Sequence, residues 1–125
     1  MRDIKFRAWD KVSKTMYTDA INNCVDSFDL ILKYPQVYEV MEYTGLKDKN
    51  GVEIYEGDIV EGGYLNPLTG KFVSKKYEVE YRDSGFYGKL IGHSPYGDTW
   101  LHFIKGEIIG NIYRNKDLLE DNRNV

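Results

Sequence analysis

The sequence predicts a mainly β protein, a small barrel or roll of short antiparallel strands with one or two short helices. Three features of the chain lead there. Apolar and polar residues alternate with a period of two in one run after another, which is the pattern of half-buried strands. The runs are short and are separated by Gly, Pro, Asn and Asp in turn-like clusters. Aromatic residues make up 14% of the chain, and 11 residues are tyrosine. Tyrosine suits a pleated surface that is partly wet, because its ring packs while its hydroxyl reaches water or a backbone acceptor.

The elements follow in order, as one domain over residues 1–125. In "IKFRAW", Ile4, Phe6 and Ala8 alternate with Lys5, Arg7 and Trp9. The polar "DKVSKT" then turns the chain so that "MYTDAI" returns as a partner, an N-terminal hairpin over about residues 1–21. Residues 22–35 read in two ways. Asp26 or Ser27 caps a short helix stopped by Pro35, or a loop leads into an edge strand, since "FDLIL" also alternates. A β core covers about residues 36–114. "QVYEVMEY" alternates, and "KKYEVEYR" sets Tyr77, Val79 and Tyr81 against Glu78, Glu80 and Arg82. "DSG" is a turn, "FYGKLIG" its returning strand and "HSPYGD" a loop. "TWLHFI" and "GEIIGNIYR" complete the strands, with His102 expected on the opposite face from Leu101 and Phe103. Over residues 115–125, Asn115 caps a last short helix, "KDLLED", before a fraying tail.

The stretch from Tyr43 to Val60, "YTGLKDKNGVEIYEGDIV", has the density of polar residues and glycine expected of a site. Turn chemistry accounts for it. Asn50-Gly51 between apolar runs predicts a hairpin with a type I′ turn, in which both central residues need positive φ. Gly57-Asp58 marks a second break, with Asp58 positioned to bond nearby amides, and Gly45 after Thr44 a third. An EF-hand alignment on Gly51 places Leu46 first and Gly57 last, so both terminal ligands are missing. No phosphate-binding glycine motif is present.

Catalytic grammar is equally sparse. Cys24 is the single cysteine, which excludes an intrachain disulfide and a thiolate metal cluster. Pairing it with His93 or His102 as a nucleophile has no motif behind it, and the two histidines lack the spacing of metal ligands. Glu78 and Glu80 share a strand face with Lys76 and Arg82, the pattern of a solvated surface. The expectation is a protein that is not an enzyme and uses no metal or cofactor. With 17 basic and 20 acidic residues the net charge is −3, which disfavours a general grip on nucleic acid or anionic lipid. The N-terminus has no apolar core of a secretory signal, and no run of residues is apolar enough to span a membrane. Cytoplasmic residence is the default.

Three blocks, "MRDIKFRAWD", "VMEYTGLKDKNGVEIYEGDIV" and "EIIGNIYRN" with the following "DLLE", occur in an order that resembles the YopX family of bacteriophage and prophage proteins. The resemblance runs from residue 1 to about residue 120. Lys116 stands where the family pattern leads one to expect proline, and the insert "GGYLNPLTGKFVSKK" lengthens the connection after "GDIV". The resemblance implies a phage origin, a bacterial host cytoplasm, an accessory role and self-association. The family has no established biochemical activity, so it transfers no functional residues.

Two functions remain as expectations. The first is a protein-binding or assembly module, with a protein partner and homo-oligomer formation, because tyrosine and tryptophan are favoured interface anchors and edge strands pair between subunits. Tyr64, Tyr87, Tyr96 and Trp100, in or beside loops, are its candidate contacts. The alternative is a small β barrel that binds single-stranded nucleic acid with aromatic and basic groups on one surface. Its candidates are Lys5, Arg7 and Trp9 on the first strand together with Lys71, Lys75, Lys76 and Arg82.

Overall fold

The computed structural model describes residues 4–18, 33–92 and 97–119. Among these residues nine strands form two antiparallel sheets, one of them a half-barrel. The strands are β1 (Phe6–Asp10), β2 (Thr15–Tyr17), β3 (Tyr38–Lys47), β4 (Glu53–Tyr55), β5 (Asp58–Leu65), β6 (Phe72–Arg82), β7 (Gly85–Ile91), β8 (Thr99–Trp100) and β9 (Glu107–Asn111). Two short 3-10 turns cover Leu101–Phe103 and Lys116–Leu119. The four-stranded sheet has the order β2-β1-β3-β4 and the five-stranded sheet the order β8-β7-β6-β5-β9. The mainly β class is therefore as the alternation predicted. The 22–35 question falls largely outside the described residues. Among the described residues no helix is long and apolar enough to cross a membrane.

The N-terminal hairpin forms because Asp10 holds its turn. Asp10 Oδ1 accepts the amides of Val12 (2.9 Å) and Ser13 (3.1 Å), an Asx arrangement that replaces water on two donors. Across β1 and β3, Arg7 lies opposite Met41 and Ala8 opposite Val40. The five-stranded sheet is built on β6, whose long pairings with β5 and β7 put Val60 beside Tyr77 and Val79 beside Gly88. Ile54, Val60, Val79 and Leu101 form the closed core, and Leu46, Phe86, Ile104 and Ile108 pack around it.

The 43–60 stretch is a folding instruction, with different turn geometry from the one expected. Only Gly51 has positive φ (83°), and Asn50 does not, so the turn is not type I′. The Gly51 amide bonds the Asp48 carbonyl (3.0 Å) and the Asp48 amide bonds the Val52 carbonyl (2.8 Å), giving the longer hairpin loop with a left-handed glycine at its end. Asp48 is the reason. Its Oδ1 accepts the amides of Asn50 (2.8 Å) and Val52 (2.9 Å), and its Oδ2 accepts the amide of Ile108 (3.0 Å). One carboxylate thus closes the hairpin and ties it to β9. Two positive φ values in a two-residue loop occur instead at Asp83 (50°) and Ser84 (70°), between β6 and β7. Gly45 does interrupt the regular backbone, with φ 84°. It lies within β3, where the register shifts between Tyr43 and Lys47.

Two further expectations are corrected. "TWLHFI" is not a strand throughout: pairing to β7 stops at Trp100 and the chain tightens into the 3-10 turn. Leu101 is buried there, while His102 and Phe103 are both exposed with ring centroids 4.2 Å apart. His102 and Phe103 therefore lie together, because a 3-10 turn does not alternate like a strand. The side chain of Asn115 turns back, its Oδ1 accepting the Asn111 amide (3.1 Å), while Asn111 Oδ1 accepts the amides of Tyr113 and Arg114.

Candidate interaction surface

Two of the four expected contact residues meet. Tyr87 and Trp100 face each other across β7 and β8, and their rings stack at 4.1 Å with an interplanar angle of 25°. The adjacent strand contributes Arg82, whose guanidinium lies 4.6 Å from the Tyr87 ring centre. Arg82 also pairs with Asp98 and stands 3.3 Å from Glu80. The other edge of the indole rests on the β6–β7 turn, where a Cβ on Gly85 would collide with the Trp100 ring. Glycine is needed at 85 for that approach. The aromatic row continues through His102, 6.1 Å from Trp100, to Phe103. Trp100 is 38% exposed and Phe103 65%.

Electrostatics hold this surface in one arrangement. Asp98 Oδ1 accepts the Leu90 amide (2.9 Å), while its other oxygen takes the Arg82 guanidinium. Burial alone would push the Asp98 carboxyl up, but the Arg82 bond and the Leu90 amide outweigh it and hold the group below its ordinary value. The same bond to Asp98 raises Arg82. The guanidinium is thereby kept over the Tyr87 ring, and β8, two residues long, ends the sheet with its outer edge unpaired among the described strands.

The remaining candidates are dispersed. Tyr64 lies in β5 opposite Val73. Tyr96, His93 and Cys24 fall outside the described residues. In the nucleic-acid set, Lys5 pairs with Glu53. Arg7 and Trp9, expected on a common face, share one that points inward. Arg7 is 8% exposed and Trp9 7%. Arg7 donates to Asp58 Oδ1 (2.8 Å) and to the Glu56 carbonyl (3.1 Å), and lies over the Tyr55 ring. Trp9 stacks on Tyr113 at 5.7 Å. Lys71 sits at the β5–β6 connection, whose Asn66 amide bonds the Lys71 carbonyl. Lys75 and Lys76 are consecutive in β6 and so point to opposite faces. Lys75 does join Tyr77, Phe103 and Lys105 around a cleft of about 370 Å³. Among the described residues no three of His, Cys, Asp and Glu are grouped to hold a metal ion.

Asp98, His102 and Phe103 were missed as members of the surface. The signal for Asp98 was present in "GDTW", an acid two residues before a candidate anchor. For His102 and Phe103 it was obscured by reading a strand where a 3-10 turn rotates both side chains to one side.

The chain is similar to a solved structure, the crystal structure of protein EF1440 from Enterococcus faecalis, at 27% sequence identity and a TM-score of 0.64, over 96% of this chain and 100% of that one. No match was found among the curated proteins. The YopX protein family profile matches residues 5–120, nearly the whole length that the three sequence blocks delimit. The chain belongs to the YopX family.

Proposed function

We propose that this protein is a non-enzymatic accessory protein of a phage or prophage that works in the host cytoplasm by binding a protein partner, and that the Tyr87–Trp100 surface at the β8 edge is where it binds. One observation carries the reading: a stacked Tyr–Trp pair, partly exposed and braced by Arg82, at a sheet edge left unpaired among the described residues. Aromatic and arginine side chains of this kind dominate binding energy because they bury large area at modest entropic cost. Self-association through the same edge is the homo-oligomeric form of the proposal.

The test is affinity capture from nuclease-treated host lysate with the protein and its Trp100→Ser variant, alongside sedimentation equilibrium of both. A discrete partner, or a dimer, that is lost in a variant with unchanged circular dichroism supports the proposal. Retention of the same partner by the variant rejects this surface.

The second reading, binding of single-stranded nucleic acid, is favoured by the cleft at Lys75, Tyr77, Phe103 and Lys105, which combines basic and aromatic groups as such sites do. Salt-sensitive binding of a labelled oligothymidylate, lost in a Lys75→Glu, Lys105→Glu variant, would establish it.

A further inference from the structure

We infer that the groove between the β1–β2 turn and the segment following β9 docks a peptide segment of another protein that is acidic and carries apolar side chains. This groove is separate from the Tyr87–Trp100 surface and is built from other elements. Its volume of about 1000 Å³ matches the upper end of small-ligand pockets, ~300–1,000 Å³. Trp9, Ile112 and Tyr113 line it, and Lys11, Lys14, Arg114 and Lys116 surround them; among the described lining residues Asp117 is the one acid, with Glu39 beside Lys11 at the margin. The four cations are exposed, whereas Trp9 is buried and Ile112 and Tyr113 are half-buried. The arrangement is therefore an apolar floor with cationic walls.

Charge decides the sign of the partner. The chain as a whole is −3, yet the groove gathers four positive side chains from two segments distant in sequence. Lys11 meets Glu39 at 2.9 Å, with both side chains more than 40% exposed, and an exposed pair of this kind exchanges readily for a partner's carboxylate. The floor decides the class. The Trp9 ring packs against Tyr113 at 5.7 Å and the Arg114 guanidinium at 5.6 Å and is only 7% exposed, too little for a base to stack on. Apolar ring edges, Ile112 and the exposed Leu119 suit aliphatic side chains, and the surrounding cations suit flanking carboxylates.

The experiment is a random-peptide display selection on the full-length immobilised protein, followed by fluorescence anisotropy of the enriched peptides against Lys14→Glu, Lys116→Glu and against Lys47→Glu as a charge control. Lys47 is exposed on β3 and does not line this groove. The expected result is enrichment of sequences mixing Asp or Glu with Leu, Ile or Phe. Their affinity should fall about tenfold or more in the double variant, stay unchanged in the control, and weaken with added salt. Enrichment of neutral or basic peptides, no enrichment, or equal binding by the double variant would overturn the inference. So would a labelled oligothymidylate whose binding is lost in the double variant while no acidic peptide binds.

Discussion

Two arginine–aspartate pairs in this protein share almost the same local chemistry and stand in opposite surroundings. Arg7 lies 4.8 Å from the Tyr55 ring centre and bonds Asp58, and Arg82 lies 4.6 Å from the Tyr87 ring centre and bonds Asp98. The side chains of Arg7 and Asp58 are 10% and 3% exposed, and those of Arg82 and Asp98 are 37% and 34% exposed. The first pair joins β1 to the start of β5 and has no surface to offer. The second braces a tyrosine that faces solvent with its tryptophan partner. Residue type and pairing do not distinguish a buried joint from a partly exposed brace here, and burial does.

Removing Asp58 gives the sharpest contrast. Asp58→Ala strands the Arg7 guanidinium and leaves the Tyr55 amide without its 2.8 Å acceptor. The expected loss is about 3–5 kcal/mol, read as a lowered urea midpoint. Replacing both partners by apolar residues, Arg7→Met with Asp58→Leu, should recover much of that loss, because no unpaired charge then remains. A double variant as unstable as the single one would show that the bonds to Glu56 and Tyr55 matter more than the ion pair.

Asp48 ranks next, as a buried carboxylate that serves backbone amides without an arginine. Asp48→Asn keeps the shape but replaces one accepting oxygen with a donor, so either the hairpin or the Ile108 amide loses its acceptor, at about 2 kcal/mol. Burial pushes the Asp48 carboxyl up, but the amides of Ile108, Val52 and Asn50 outweigh it and the net direction is below the ordinary value of 3.8. Its contribution is therefore complete above that value and is lost as pH falls through the lower folded value. The stability gap between the protein and Asp48→Asn should be widest at about pH 7 and narrow under strong acid. Glu56 works in the opposite sense. Burial raises it, so its part favours the fold below its ordinary value and is lost as pH rises through the raised one. A gap that widened on acidification would refute the assignment to Asp48.

Gly51→Val tests the same hairpin through its backbone. No atom lies within 4 Å of a Cβ at this position, while φ is 83°, so the cost is conformational, about 1–2 kcal/mol, and thermal denaturation should show it.

Arg82→Ala should have the smallest effect on stability, with a melting temperature close to that of the unaltered protein, because exposed pairs contribute little. If the Tyr87–Trp100 surface binds a partner, the same variant should weaken capture, since Tyr87 loses its cover. A marked fall in melting temperature would instead place Arg82 with Arg7 as a structural joint.

Much of the fold was legible along the chain. Strand alternation at "IKFRAW", "QVYEVMEY" and "KKYEVEYR" located β1, β3 and β6, since a pleated backbone sends successive side chains to opposite faces. Local turn chemistry identified the Asp48–Gly51 hairpin and the Asp83-Ser84 loop, although the two positive φ values expected at Asn50-Gly51 are found at Asp83-Ser84. Of the candidate surface, Tyr87 and Trp100 were visible as anchors near loops, and their stacking was not.

What the sequence by itself determined is the period of β1, β3 and β6, the position of the Asp48–Gly51 and Asp83–Ser84 turns, and the two groups of side chains that each of those strands presents. Which of those groups faces inward was decided only by tertiary structure. Arg7 and Trp9 form one side of β1 in any strand, but a charged and aromatic side can face water or a partner sheet. It faces inward here because Asp58, 51 residues further on, supplies the countercharge for Arg7, and Tyr113 covers Trp9. Periodicity is a property of neighbouring residues, whereas burial depends on what the folded chain brings from a distance.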